Sequence, residues 1–236
     1  MVTASSHLLD NLRLLAHESG LLVATAATFD DQSIQAASRC QGWTRAHVLS
    51  HIARNADALG KLVSWAITGT PVAMYESPQA RAADIEAGSG RRAQEIVTDL
   101  EESAARFAAA ATGLAGPPEQ VEVEMREGRR VLGGQLPTLR LLEVVIHHVD
   151  LNAGYTFADA DPGFVRRAIS NGVQRMRRSG QVPAVRLHSD SGDTWSMAEG
   201  TQEVTGTSAA ILLWLARGDG TGVRSPQALP ELPAWG

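Results

Sequence analysis

A glutamate and a histidine four residues apart are the first residues of this sequence that suggest chemistry. The segment Leu139–Asn152 reads LRLLEVVIHHVDLN and is mostly apolar. As a helix it projects Glu143 and His147 from one face, so that a carboxylate oxygen and an imidazole nitrogen can hold one metal ion. An unpaired carboxylate in apolar surroundings is costly and favours a cation. The same spacing also fits two side chains that only hydrogen-bond each other.

A catalytic divalent ion needs a third protein ligand and a further open position. The segment TRAHVLSHIARNADALGKLVSWAITG is a predicted helix with Thr44 as its N-cap, and it carries His47, His51 and Asn55 at four-residue steps. Of the two histidines, His51 is the better candidate ligand, because its apolar neighbours indicate burial and His47 lies in the first turn. The alternative for each is an ordinary histidine at a helix interface.

Size and charge exclude several classes of function. The chain has 236 residues, enough for one large domain or two modest ones, and a formal net charge of −5. Such a chain offers no basic surface for nucleic acid. No apolar run reaches membrane-spanning length, and the N-terminus lacks the pattern of a secretory signal. We therefore expect a cytoplasmic monomer with neither nucleic-acid nor membrane partners.

The single cysteine, Cys40, excludes an intramolecular disulfide and a CxxC motif. It lies in the polar loop Ser38–Trp43, and no activating base stands beside it in the sequence. We therefore interpret it as structural. If the protein uses a thiol, we expect a small molecule to supply it.

Periodicity predicts four long helices in the first two thirds of the chain. They are the N-terminal helix, the helix that carries His51, an alanine-rich helix over 91–111 and the helix that carries Glu143, which begins at Pro137. Arg81 is predicted to open a short additional helix. Alternating residues around Glu127 and Gly128 predict a hairpin. These elements fit a four-helix bundle over residues 1–154 with a metal inside.

The pattern changes after Gly154. A helix beginning at Pro162 is followed by a predicted hairpin around Ser191 and Gly192, a strand near Glu203, and a final helix over 208–216. Residues 155–236 thus predict a small α+β domain. The fold class is mainly α, with an N-terminal bundle and this C-terminal domain.

Four segments together resemble a known family. They are GWTRAHVLSHIARNADAL, MYESPQAR, RLLEVVIHHVDL and WLARGDGTGV. They are similar to the mycothiol-dependent maleylpyruvate isomerases, which belong to the DinB-like superfamily of metal-dependent helical bundles. The resemblance spans most of the chain, with a weaker match in the middle. It implies a divalent metal, normally zinc, held by His51, Glu143 and His147.

The resemblance also implies an activity. A family member would convert maleylpyruvate to fumarylpyruvate in gentisate degradation, using zinc and mycothiol as cofactors and adding the thiol reversibly to the double bond. Arg81 and Arg217 lie in the resembling segments, and we expect them to anchor the dicarboxylate substrate or mycothiol. Asn55 is expected to line the pocket, Asp150 to orient a ligand histidine and Arg140 to steady Glu143.

Three alternatives remain open at this point. The two arginines could be ordinary surface residues. The protein could be a mycothiol S-transferase of the same superfamily, with an identical metal triad. It could also be a non-enzymatic bundle with a structural zinc, although structural zinc normally has four protein ligands.

Overall fold

The computed structural model of the protein describes residues 4–180, 182–199, 202–233 and 235. The chain divides into two compact units, Met1–Ala153 and Gly154–Gly236. The first unit is largely helical, and the described residues of the second combine two helices with a small sheet. The predicted fold class, mainly α with a C-terminal α+β part, is confirmed. Among the described residues, no helix is both long enough and apolar enough to cross a bilayer.

Five α-helices lie in the described part of the first unit. Their bounds are Ala4–Ala26 for α1, Arg45–Thr68 for α2, Pro78–Ser89 for α3, Ala93–Ala111 for α4 and Leu136–Asp150 for α5. Helix α2 packs against α3, α4 and α5, while α1 packs against α4 and α5, so the four longest helices of this unit form the expected bundle.

The core of this unit lies along α2 and α5. Burying an aliphatic side chain stabilises the fold by about 1.5–3 kcal/mol, so these faces fix where both helices lie. The polar residues on the same helices are therefore held in place. Fully buried members of the core include Leu49, Ile52, Leu59, Leu62, Leu141, Val144 and Val145.

Helix α3 begins earlier than predicted. Ser77 accepts a hydrogen bond from the backbone N–H of Ala80, and Pro78 occupies the first turn, where a missing N–H costs nothing. Arg81 therefore projects from inside the helix and does not open it. The cap residue Ser77, four positions upstream of Arg81, explains the difference.

The predicted hairpin in the first unit is confirmed. Strands β1 (Glu122–Glu124) and β2 (Arg130–Leu132) pair antiparallel, with only Val123 buried. The turn places Glu127 and Gly128 at φ of 60° and 72°.

The described part of the second unit contains α6 (Pro162–Ser179), α7 (Ser208–Arg217) and one sheet. Its strands span Val185–Ser189 for β3, Thr194–Ser196 for β4, Gln202–Gly206 for β5 and Val223–Arg224 for β6. Their order in the sheet is β4-β3-β5-β6. The hairpin of β3 and β4 is antiparallel, as predicted, whereas β5 pairs in parallel with β3. Strand β6 was not predicted, because two residues carry no alternation pattern.

Candidate metal centre

Helices α2 and α5 bring the three predicted ligands together. The Nε2 atom of His51 lies 3.1 Å from Glu143 Oε2, and the Nε2 atom of His147 lies 3.6 Å from the same oxygen. One potential ligand atom from each residue lies within 4.8 Å of the others. His51 is 92 residues from Glu143 in the chain, so tertiary packing creates this cluster.

The spacing of these atoms suits a divalent ion. With metal–ligand bonds of about 2.0–2.1 Å, two ligand atoms of a tetrahedral zinc ion lie about 3.3 Å apart. The two nitrogen-to-oxygen distances, 3.1 and 3.6 Å, bracket that value. The side chain of Glu143 keeps 36% of its surface exposed, so the cluster is open on one side. The three residues therefore fit an ion that retains an open position.

The cluster is electrostatically balanced. Burial raises the pKa of Glu143, but hydrogen bonds from His147 and His51 hold that pKa well below its ordinary value. Burial lowers the pKa of His51 to about 4. Burial also opposes protonation of His147, but hydrogen bonds with Asp150, Cys40 and Glu143 raise its pKa well above the ordinary value. The metal-free cluster thus pairs a carboxylate with one charged and one neutral histidine.

A buried carboxylate stands behind the ring of His147. The Oδ2 atom of Asp150 lies 2.8 Å from His147 Nδ1, as expected for a residue that orients a ligand. Cys40 Sγ lies 3.2 Å from the same oxygen and 3.9 Å from His147 Nδ1. No activating base stands beside Cys40 in the sequence, but the fold brings a carboxylate and an imidazole to its thiol. Its partners lie 107 and 110 residues away in the sequence, where inspection of the local sequence could not find them.

The ring of His51 has different surroundings. Arg81 Nη2 lies 3.1 Å from His51 Nδ1, which brings this predicted site residue directly to the cluster. The ring of Trp43 lies 5.5 Å from that of His51, and the rings of His51 and His147 are 4.8 Å apart, edge to face. Trp43 belongs to the same motif as His51 but was not singled out from the sequence.

A cavity of about 560 Å³ adjoins this side of the cluster. The segment 71–78, Arg81 and the hairpin tip at 124–127 line it. The Arg81 guanidinium lies over the ring of Tyr75, 5.7 Å from its centroid. Burial raises the pKa of the Tyr75 phenol, and the charge of Arg81 opposes that rise. Tyr75 and Arg126 are site candidates that sequence reasoning missed, although Tyr75 lies within the MYESPQAR motif.

Comparison with known proteins assigns the segment that holds this cluster to a family. Residues 15–152, more than half of the chain, match the family model described as the mycothiol maleylpyruvate isomerase N-terminal domain. The chain belongs to this family. A comparison with curated protein sequences yields no match.

Two crystal structures share the fold of this family member. One is of the mycothiol-dependent maleylpyruvate isomerase, at 31% identity, and the other is of a histidine-to-alanine mutant of that enzyme, at 30% identity. Each has a TM-score of 0.91, and each comparison covers 97% of both chains. The likeness therefore extends beyond the segment matched by the family model.

Two polar residues of the isomerase core bind each other. Arg140 is 1% exposed, and its Nη1 atom donates to Ile52 O and to Asn55 Oδ1, each at 2.8 Å. Arg140 was expected to steady Glu143, either as an ion pair or from behind it, and its hydrogen bonds go to α2, the helix that carries His51. Its charge still acts on Glu143 through space. The amide oxygen of Asn55 accepts this hydrogen bond from Arg140. That Asn55 lines the substrate pocket stays a prediction.

The remaining histidines near the cluster have other partners. His47 Nε2 lies 3.2 Å from Glu86 Oε2, and the backbone of His47 bonds the predicted cap Thr44. His148 Nε2 lies 2.7 Å from Thr25 Oγ1.

Arg217 lies in the second unit, at the end of α7. Its Nη1 atom donates to the carbonyl of Ala216 at 2.6 Å, and Gly218 ends the helix at φ of 68°. That contact suits a residue that caps a helix. The prediction that Arg217 binds an anionic ligand stays a prediction.

Proposed function

We propose that this protein is a mycothiol-dependent isomerase that converts maleylpyruvate to fumarylpyruvate at a divalent-metal site. The observation that carries the proposal is the open cluster of His51, Glu143 and His147 in a member of this family, beside a cavity with an arginine in its wall. The cavity volume lies within the range of small-molecule sites, about 300–1,000 Å³.

The reaction requires the cis double bond to become a single bond for a short time. A thiolate adds to one carbon of that bond, and the electron pair moves onto the conjugated carbonyl oxygen. The remaining single bond rotates. The electron pair then returns, the thiolate departs, and the trans product remains with no net change in atoms.

The donor set suggests zinc as the ion. Two imidazole nitrogens and one carboxylate oxygen are ligands typical of catalytic zinc, which has three protein ligands and an open position. When bound, such an ion supplies a Lewis acid that favours the thiolate form of mycothiol or stabilises negative charge on a substrate oxygen. A structural zinc would need a fourth protein ligand.

The protein's own residues position the reactants. Arg81 lies between the cluster and the cavity, so its guanidinium can pair with a carboxylate of the substrate. The phenol of Tyr75 lies beside it and can donate a hydrogen bond to an oxygen that gains charge. Arg126, at the hairpin tip, offers a second cation on the cavity wall for a dicarboxylate.

A substrate assay tests the function. Purified protein of known metal content receives maleylpyruvate with mycothiol, maleylpyruvate alone, or an electrophile such as a haloalkane with mycothiol. We expect fumarylpyruvate only in the first mixture. Conversion without any thiol would contradict the role of mycothiol. Stable thioether formation, without isomerisation in the first mixture, would favour an S-transferase.

A further inference from the structure

The loop that connects to the start of α2 is closed by its own hydrogen bonds. Ala37 and Thr44 pair in an isolated antiparallel bridge. Inside it, the hydroxyl of Ser38 donates to the carbonyl of Trp43 at 2.8 Å and accepts from the backbone N–H of Cys40 at 3.1 Å. We call residues 37–44 the clamp loop. Its bonds fix the direction in which the Cys40 side chain points.

Two contacts join the clamp loop to the end of α5. The backbone N–H of Arg39 donates to the carbonyl of Asp150 at 2.8 Å. The next residue, Cys40, places Sγ 3.2 Å from Asp150 Oδ2, the same oxygen that lies 2.8 Å from His147 Nδ1. The thiol and the imidazole thus share one carboxylate oxygen.

The chemistry of the three groups sets the direction of these bonds. An ionised carboxylate can only accept, so the hydrogen between sulfur and oxygen comes from the thiol. Asp150 is fully buried, where each unmet hydrogen bond of a carboxylate is costly. The thiol hydrogen therefore favours one side-chain orientation of Asp150. That orientation in turn holds the plane of the His147 ring.

We propose that Cys40 is a positioning residue, which acts through Asp150 to aim His147 at the metal. The inference rests on the metal site of the proposed function but not on the identity of the substrate. Cys40 does not belong to the described residues that line the cavity beside Arg81. Its thiol lies on the Nδ1 side of His147, away from the Nε2 atom that would hold the metal. This position agrees with an external thiol as the nucleophile.

Metal affinity provides the test, because it does not depend on turnover. The protein is stripped with a chelator, and zinc binding is measured in competition with a chromophoric chelator. Cys40→Ala removes the donor and should weaken zinc binding about tenfold, the lower end for loss of a partner behind a ligand. Cys40→Ser keeps a donor and should retain most of the affinity. The cobalt(II)-loaded Cys40→Ala protein should show a changed visible spectrum.

An Asp150→Asn background separates positioning from general packing. If Cys40 acts through the carboxylate, Cys40→Ala should cause no further loss of zinc affinity in Asp150→Asn protein. Full additivity of the two losses would overturn the proposal. So would Cys40→Ala protein with wild-type zinc affinity and a wild-type cobalt spectrum.

A chemical experiment covers the case in which Cys40→Ala does not fold. Cys40 is the only cysteine, so methyl methanethiosulfonate caps one thiol, and a phosphine reductant restores it. Capping should weaken zinc binding and reduction should recover it. Unchanged affinity of the capped, folded protein would contradict the inference. Since the readout is metal affinity, failure of the isomerase assay remains distinguishable from failure here.

Discussion

The two candidate ligand histidines, His51 and His147, meet opposite kinds of partner on the side away from Glu143. His147 Nδ1 faces the carboxylate of Asp150 at 2.8 Å, whereas His51 Nδ1 faces the guanidinium of Arg81 at 3.1 Å. A carboxylate accepts hydrogen bonds and a guanidinium donates them. His147 therefore carries hydrogen on Nδ1, while neutral His51 presents a lone pair there and carries its hydrogen on Nε2, towards Glu143.

Because of this difference, the two histidines would need different proton rearrangements to bind a metal through Nε2. His147 only has to lose a proton from Nε2, because its Nδ1 already donates to Asp150. For Nε2 of His51 to hold a metal, its hydrogen would have to lie on Nδ1, and a hydrogen there would break the contact with Arg81. We therefore expect a bound metal to free Arg81 from His51, so that its guanidinium is available to the cavity.

Loss of a ligand should give the largest effect. His51→Ala, Glu143→Ala and His147→Ala should each lower zinc affinity by more than the roughly 10–100-fold that is typical of losing a partner behind a ligand. Isomerase activity should fall with metal content, as measured by atomic absorption after dialysis. His47→Ala is the matched control, because His47 shares α2 with His51 but contacts Glu86. Full metal content in the three ligand variants would exclude this cluster.

The metal-free protein should show opposite pH dependences for the two histidines. Burial lowers the folded-state pKa of His51 from 6.5 to about 4, so its contribution to stability falls as pH drops from 6.5 towards 4. The full loss is on the order of 3 kcal/mol. The raised pKa of His147 gives stability that is fully present below pH 6.5 and is lost as pH rises through the folded-state value.

Denaturant unfolding of chelator-treated protein measures these contributions. The unfolding free energy of wild type relative to His51→Gln should fall between pH 6.5 and 4. The corresponding difference for His147→Gln should fall in the alkaline direction. The same trend for both variants would contradict the assignment of one neutral and one charged histidine.

Substitutions of Arg81 test the contact between its guanidinium and His51 Nδ1. Arg81→Leu removes the proposed charged contact to the substrate, whose loss should cost about 2–5 kcal/mol and hence roughly thirtyfold or more in kcat/KM. Its zinc affinity should be equal to or higher than that of wild type, because nothing then holds His51 Nδ1. Arg81→Lys should not restore activity, since lysine lacks the planar fork. Weaker zinc binding in Arg81→Leu would show that Arg81, like Asp150, supports the metal site, and would contradict the proposal that the two residues act in opposite directions.

The sequence could predict those features of the fold and of the candidate site that depend on the spacing of residues within one helix or hairpin. Four-residue steps identify Glu143 with His147 on one helix and His51 on another, and alternation identifies the hairpin of β1 and β2. Spacing could not show that α5 packs on α2 closely enough for one cluster. The choice of His51 over His47 needed apolar neighbours and the resemblance to a family.

Asp150, three residues after His147, was predicted as its partner, but the other contacts behind the candidate ligands were beyond sequence reasoning for a physical reason. Arg81 is 30 residues from His51, and Cys40 is 110 from Asp150, so only tertiary packing makes these contacts. Arg140 shows the same limit. A buried guanidinium binds the oxygens within its reach, and the packing of α5 on α2 makes those Ile52 O and the amide oxygen of Asn55.

The smallest expected effect concerns Gly42 in the clamp loop. This loop places the ring of Trp43 near the ring of His51 and the thiol of Cys40 against the carboxylate of Asp150. Gly42 has φ of +79°, and an added Cβ meets no atom within 4 Å, so alanine there costs conformational energy alone, about 1–2 kcal/mol. Gly69, at the end of α2, has φ of +74° and equally open surroundings.

Gly69→Ala is therefore a matched control for Gly42→Ala. Both variants should melt a few degrees below wild type, since about 1 kcal/mol shifts the midpoint of a chain this size by roughly 2–4 °C. Only Gly42→Ala should also weaken zinc binding, because strain in the clamp loop displaces Trp43 and Cys40 together. Equal zinc affinity in both variants would show that the two histidines are held by the helices alone, without help from the loop.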